Sequence, residues 1–237
     1  MNGPVETSRE SRWPPALTLL GVLVFFAMLP HRVHVLPVWI FWIAAFAVLV
    51  PMAAVELTRA NTRWLRAERA TIIALALVYL ANTSAELADV IGIITVRPRD
   101  GRLLSLLSSS VVIWVSNVVV FSMLYWQIDR GGPGGRASKS GKPDWVFPQP
   151  ASPEDVPPGW QPFFFDYLFL AYNTATAFSP TDALPLTRRA KLLMMIESLI
   201  FTTLGAILGI GLGQVGLRSV IGALPAGVLD HLPALRG

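Results

Sequence analysis

The stretch that decides the fold is residues 162–216, PFFFDYLFLAYNTATAFSPTDALPLTRRAKLLMMIESLIFTTLGAILGIGLGQVG. A short apolar segment at 163–175 is followed by a hydroxyl-rich turn at 176–182 and then by an apolar run, 192–217, that is long enough to cross a bilayer. A segment too short to cross, followed by polar backbone and a true span, is typical of a re-entrant loop. Such backbone is tolerated at membrane depth only inside protein or along a water-filled cavity. We therefore expect this stretch to bear on function as well as fold.

The composition of the whole chain predicts a membrane protein. Of 237 residues, 53% are hydrophobic and only 14% are charged, and the apolar runs are longer than a soluble core helix needs. We predict an all-α integral membrane protein with five transmembrane helices, one re-entrant half-helix and a pore-like loop. The predicted spans are 13–29, 35–55, 71–96, 103–126 and 192–217.

The chain divides into four parts by composition. Residues 1–127 form an N-terminal tail and a four-helix transmembrane region, and residues 128–161 form a Gly/Pro-rich aqueous loop. Residues 162–217 form the re-entrant half-helix, the filter-like turn and an inner helix, and residues 218–237 form a C-terminal tail. The low hydrophobicity of the second part indicates irregular structure.

Several classes of function are disfavoured by what the sequence contains. Cysteine is absent, which excludes disulfides and thiolate chemistry. His31, His34 and His231 have no carboxylate at ligand spacing, so we expect no metal and no cofactor. The net charge of +4 comes from basic residues between spans, where they suit lipid headgroups better than nucleic acid. No enzymatic motif stands out, and we expect no enzyme activity.

The second half of the chain has the predicted order of an outer helix, a long connection, a half-helix, a turn and an inner helix. This order resembles the pore module of the potassium-channel pore-loop superfamily. The segment Asp182-Ala183-Leu184-Pro185-Leu186-Thr187 has the spacing of that family's Asp-x-x-Pro-x-Thr, and Thr176 falls at its first filter threonine. The basic stretch 188–191 is also similar. The chain resembles bacterial membrane proteins related to this superfamily, which implies a membrane channel built as a homo-oligomer.

The filter-like turn departs from the family pattern in a way that affects selectivity. Family filters use glycine because it reaches positive φ at little cost, so that successive carbonyls point at the ion. Here Ser179 and Thr181 occupy those glycine positions, and Pro180 between them fixes φ and restricts its neighbour. Potassium selectivity is therefore not expected. The turn instead predicts a hydroxyl-lined constriction of Thr174, Thr176, Ser179 and Thr181, with Asp182 at its mouth. The alternative is that 162–191 is a lipid-surface helix and connector without a pore.

Polar residues inside the predicted spans are the second candidate site. Glu86 and Asp89 are three residues apart and share a helical face with Asn82, while Asn117 and Glu197 lie in the fourth and last spans. Acidic groups at membrane depth are costly and usually face protein or water. Glu86 and Asp89 form either a cation or proton relay or, alternatively, pair with Arg63, Arg66 or Arg97 or reach the membrane interface.

The last span carries glycines at four-residue spacing: Gly205, Gly209 and Gly213. Such spacing lets helices approach closely, and glycine also serves as a hinge. We expect this helix to pack against another helix, including one from a second copy.

These observations favour a channel-like protein that passes monovalent cations with weak selectivity, as a homo-oligomer in a bilayer. The inner membrane of a bacterium is the predicted location. Two other hypotheses remain: a proton- or cation-coupled carrier that uses the intramembrane carboxylates, and a non-conducting accessory subunit.

Overall fold

The computed structural model describes residues 10–28, 38–58, 61–96, 103–137, 141–152, 154–176 and 183–222, and the protein is mostly helical. The helices are α1 (Trp13–Met28), α2 (Val38–Leu57), α3 (Thr62–Val96), α4 (Leu103–Ile128), α5 (Pro133–Ala137), α6 (Phe164–Ala175) and α7 (Arg188–Gly222). Two short strands, β1 (Trp145–Val146) and β2 (Leu184–Pro185), form an antiparallel ladder. Single 3-10 turns lie at Asp129–Gly131 and Gln149–Ala151.

Helices α1 to α4 and α7 run alternately along one bundle. We call the end where α4 finishes the loop end. Helix α1 begins there, because Glu10 bonds to Trp126 and Arg136 near the end of α4. Helix α3 also begins there, since Nε of Arg12, directly before α1, lies 3.8 Å from Oε1 of Glu68 near the start of α3. Each of the five predicted spans therefore corresponds to a helix of the bundle.

Two of these helices meet the length and composition expected of a membrane span. They cover Ser110–Ala137 and Arg188–Gly209, and two shorter apolar helices lie at Trp13–Val22 and Ala45–Leu57. In the apolar window of α4, 61% of residues are buried in the chain, compared with 17% in that of α7. Most of the apolar surface of α7 is therefore uncovered by the described part of the chain.

Helix α6 packs in the groove between α4 and α7 and runs antiparallel to α4. Its first residue, Phe164, has its ring 6.0 Å from that of Trp126, and Tyr172 near its other end has its ring 6.0 Å from that of Trp114. The helix has 12 residues, or about 18 Å of length. It therefore starts at the loop end and stops well inside the bundle.

After α6 the chain returns to the end from which it came. Strand β2 pairs with β1, with Trp145 opposite Pro185 and Val146 opposite Leu184. Strand β1 belongs to the connection that follows α4, because the backbone N–H of Asp144 donates to Asp129 at 2.7 Å. Helix α7 then starts at the loop end and runs alongside α6, where Ser198 Oγ donates to the carbonyl of Thr174 at 3.3 Å.

The described part of the 128–161 connection is more closely packed than its Gly/Pro-rich composition indicates. Trp145 and Phe147 are both buried. The Trp145 ring lies 4.8 Å from that of Tyr125, and the Phe147 ring lies 5.5 Å from that of Tyr167. The burial of these large aromatic rings contributes more to the packing of the connection than the polar residues around them do. The connection is therefore a packed cap over the loop end.

Candidate functional site

Helix α6 is positioned by a cap at its start and by one buried face. The Asp166 carboxylate accepts a hydrogen bond of 2.9 Å from the backbone N–H of Phe163, which satisfies a donor that the helix leaves free. The buried side chains recur at helical spacing: Phe164, Tyr167, Leu170, Ala171 and Thr174. The opposite face, with Phe165, Phe169 and Tyr172, is exposed. That face is available to lipid or to a second chain.

Asp129, directly after α4, joins the connection to α6. Its side chain is fully buried. Oδ1 accepts hydrogen bonds from the backbone N–H groups of Asp144 and Trp145, at 2.7 and 3.4 Å, and Oδ2 accepts one of 2.7 Å from the Tyr167 hydroxyl. Bonds to a carboxylate are roughly twice as strong as neutral ones. Asp129 thereby fixes where α6 enters the bundle.

Asp144, also fully buried, joins the same connection to the start of α7. Its carboxylate accepts hydrogen bonds of 2.6 Å from the Thr187 hydroxyl and from two nitrogens of Arg189. Its backbone carbonyl accepts a further bond of 2.8 Å from Leu186. Thr187 and Arg189, which both follow strand β2, are thus bound to the Asp144 side chain. Asp144 fixes where the chain comes back after α6.

A second polar group lies deep in the bundle, at the far end of α6. The Glu197 cluster consists of Asn117 and Tyr125 of α4, Thr174 of α6 and Glu197 of α7. Tyr125 donates to Glu197 Oε2, and the Thr174 hydroxyl donates to the carbonyl of Leu170 at 2.9 Å. Asn117 Nδ2 donates to the backbone carbonyl of Glu197 at 3.3 Å, and Ser198 Oγ donates to the carbonyl of Thr174. Helices α4, α6 and α7 therefore meet at this cluster.

Two acceptors of the Glu197 cluster are unsatisfied. Glu197 Oε1 and Asn117 Oδ1 are buried and have no hydrogen-bond partner within the described part of the chain. An unpaired buried polar atom costs about 1–3 kcal/mol. Such an atom in a native structure is explained either by local strain or by a bound proton, ion or water molecule next to it.

The structure brings together some of the predicted site residues. Asn117, Thr174 and Glu197 meet in the cluster, whereas Thr176 is half-buried and its hydroxyl donates to the carbonyl of Tyr172 at 2.9 Å. Asn82 is half-buried in α3. The remaining predicted residues lie outside the described part, either wholly or as side chains: Ser179, Pro180, Thr181 and Asp182, and the side chains of Glu86 and Asp89.

The glycine stripe of α7 has an open face. A Cβ placed on Gly205, Gly209 or Gly213 would meet no atom within 4 Å. Packing within the described part of the chain therefore does not require glycine at these positions.

A buried charge network at the loop end was missed by the sequence reasoning. Arg136 bonds to the Glu10 carboxylate at 2.8 Å and to the carbonyl of Trp126 at 2.7 Å, and its guanidinium lies 5.0 Å from the Tyr167 ring centre. Its position in a Gly-rich segment gave no signal for burial. Next to it, burial raises the pKa of Glu68 to about 7, although Arg12 lowers it.

Comparison with models of known protein families, with characterised proteins and with solved structures finds no match to this chain. The geometry described above therefore has to carry the functional argument.

Replacing Asp144 by Asn should loosen the return of the chain. The amide carries no charge, so the hydrogen bonds that this side chain accepts from Arg189 and Thr187 become weaker. Hydrogen bonds to charged groups contribute about 1.5–3 kcal/mol to stability. Since the Arg189 side chain is 55% exposed, solvent screening reduces this contribution, and we expect the free energy of unfolding to fall by about 1–2 kcal/mol. Denaturant unfolding in detergent measures it. Asp155→Asn, at an exposed position of the same connection, is the control; an equal effect of both variants would contradict the assignment.

Glu68 should make stability depend on pH. Its pKa is 4.5 ordinarily and about 7 in the folded chain, so as pH rises from 4.5 the unfolded chain releases this proton first. Stability should therefore fall as pH rises from about 4.5 to 7, by up to about 3 kcal/mol, and then level off. Glu68→Gln should flatten this decline, whereas Glu154→Gln, which is exposed, should not. Melting temperature against pH measures it, and an unchanged slope in Glu68→Gln would contradict the account.

Proposed function

We propose that the protein is a channel-like membrane protein that passes cations with weak selectivity, and that α6 and the turn after it form its re-entrant pore element. The observation that carries the proposal is that α6 and α7 both begin at the loop end, while α6 stops inside the bundle beside Ser198. A segment of about 18 Å cannot cross a hydrocarbon core of about 30 Å. The chain that joins its inner end to β2 would then lie at membrane depth.

Backbone in that position has to be covered by protein or water. In this proposal the five bundle helices cross a bilayer, for which the inner membrane of a bacterium is the proposed location, and the turn at 176–182 lines a water-filled constriction. Thr176, Ser179 and Thr181 offer hydroxyls, and Asp182 offers a charge at the mouth. Pro180 opposes the run of inward carbonyls that dehydrates potassium, so the proposed selectivity is weak.

The pore proposal requires more than one copy of the chain. One α6 with one turn cannot surround an ion path, whereas the exposed aromatic face of α6 and the open glycine face of α7 leave room for a neighbour. We therefore propose a homo-oligomer whose turns converge on a common axis. Thr174 in this arrangement supports the turn from inside the chain, since it faces Tyr125.

A proton- or cation-coupled carrier is the second candidate. Glu197 favours it, because a buried carboxyl with an unsatisfied oxygen between three helices is a group that such carriers use. Reconstitution separates the candidates: unitary current steps support a channel, slow saturable flux supports a carrier, and absence of both supports an accessory subunit and contradicts both proposals.

Asp182→Asn should lower cation conductance, mainly at low salt. Several copies of this carboxylate would concentrate cations at the mouth through their negative potential. The screening length falls from about 30 Å at 0.01 M salt to about 3 Å at 1 M, so the loss should be large at the first concentration and small at the second. Single-channel conductance in planar bilayers measures it, with Asp155→Asn as control. An effect that is independent of salt would contradict the role at the mouth.

A further inference from the structure

Among the described residues, the groups around the Glu197 side chain carry no charge that would compensate a negative one. Glu197 is fully buried, and its hydrogen-bond partner among the described side chains is the neutral Tyr125 hydroxyl at Oε2. The ion pairs of the described residues are formed by other carboxylates, namely Glu10, Glu68, Asp129 and Asp144. An ionised Glu197 would therefore have no counter-charge within the described part of the chain.

The charged and titratable groups on the surrounding helices lie elsewhere or are already engaged. On α7 itself, Arg189 binds Asp144, and Arg188 and Lys191 are exposed at the loop end. On α6, Asp166 caps the helix, Tyr167 binds Asp129 and Tyr172 is exposed. On α3, which also packs against α7, the described charges lie in the first turns at the loop end: Arg63, Arg66, Glu68 and Arg69. Tyr79 of α3 donates to the backbone carbonyl of Ile113 at 3.0 Å. The side chains of Glu86 and Asp89 in α3 and of Arg218 in α7 are outside the described part.

Burying an unpaired ionised carboxylate carries a large desolvation cost, and one hydrogen bond from a neutral donor recovers only a small part of it. A bound cation or a bound proton would remove that cost. The described residues contain no group of three or more His, Cys, Asp or Glu side chains that could hold a metal ion. A proton requires nothing beyond the free oxygen that the structure leaves on Glu197.

We propose that Glu197 is a proton-binding site, with the proton on Oε1 and the Tyr125 hydroxyl bonded to Oε2. The proton keeps the carboxyl neutral, and a neutral carboxyl allows α4 and α7 to pack against each other beside α6. Because Ser198, the residue after Glu197, donates to the carbonyl of Thr174 one residue before the end of α6, loss of the proton would place a bare charge near the inner end of α6. This proposal does not rest on ion conduction by the protein.

Infrared spectroscopy of the protein in lipid nanodiscs at neutral pH tests the proposal. Spectra are compared in a Glu68→Gln background, which removes a second buried carboxyl. We expect a carbonyl stretch of a protonated carboxylic acid that shifts in deuterated water and disappears in Glu197→Gln. Glu154→Gln, in the exposed part of the connection, should leave it unchanged.

Tyr125→Phe gives an independent readout. Removing the phenol frees the carboxyl Oε2, so the band should persist and move to higher frequency. A spectrum without the band at neutral pH, or a band that survives in Glu197→Gln, would overturn the proposal. If Glu197→Gln does not fold, Tyr125→Phe decides: a band that shifts supports the site, and a band that does not shift overturns it.

Discussion

The Asp144 carboxylate is the contact on which the arrangement of the second half of the chain depends. It binds Thr187 and Arg189 at the start of α7, while its own backbone N–H is held by Asp129 at the end of α4. The end of α4 and the start of α7 are thus held close together, although a long segment that includes α6 lies between them in the sequence. Because both carboxylates are buried with their oxygens in use, each fixes geometry more sharply than an exposed ion pair does.

A second polar layer lies deeper and has a different character. At the loop end Asp129 and Asp144 accept hydrogen bonds from N–H groups, hydroxyls and a guanidinium group, whereas Glu197 has a single neutral donor. Glu68, also buried at the loop end, differs from Asp129 and Asp144 in having only an ion pair of 3.8 Å with Arg12. A satisfied network rigidifies a fold, and an unsatisfied one is costly in a low dielectric. The first layer therefore suits a structural role, and the second suits a group whose charge changes.

The helices followed from the sequence because the apolar runs recur along the chain, although Asn82, Glu86 and Asp89 interrupt one of them. The short helix α6 was predicted from its length and from the turn after it, and Asn117 and Glu197 were identified because polar groups in apolar runs are expensive. Tyr125 was not identified, since an aromatic in an apolar helix is ordinary. Asp129, Arg136 and Asp144 were missed because the packing of a Gly/Pro-rich connection depends on distant contacts, which no local pattern encodes.

The central claim is that the chain returns after α6 to the end where α6 begins. Disulfide formation between Val146→Cys and Leu184→Cys tests it most directly, because these paired, exposed positions have Cα atoms about 5.5 Å apart in such a ladder, within bridging range. The chain has no other cysteine. The account predicts rapid intramolecular bridging on mild oxidation in membranes, and none with Val146→Cys and Leu199→Cys. Failure of the first pair to bridge while both thiols react with an impermeant reagent from opposite faces would contradict it.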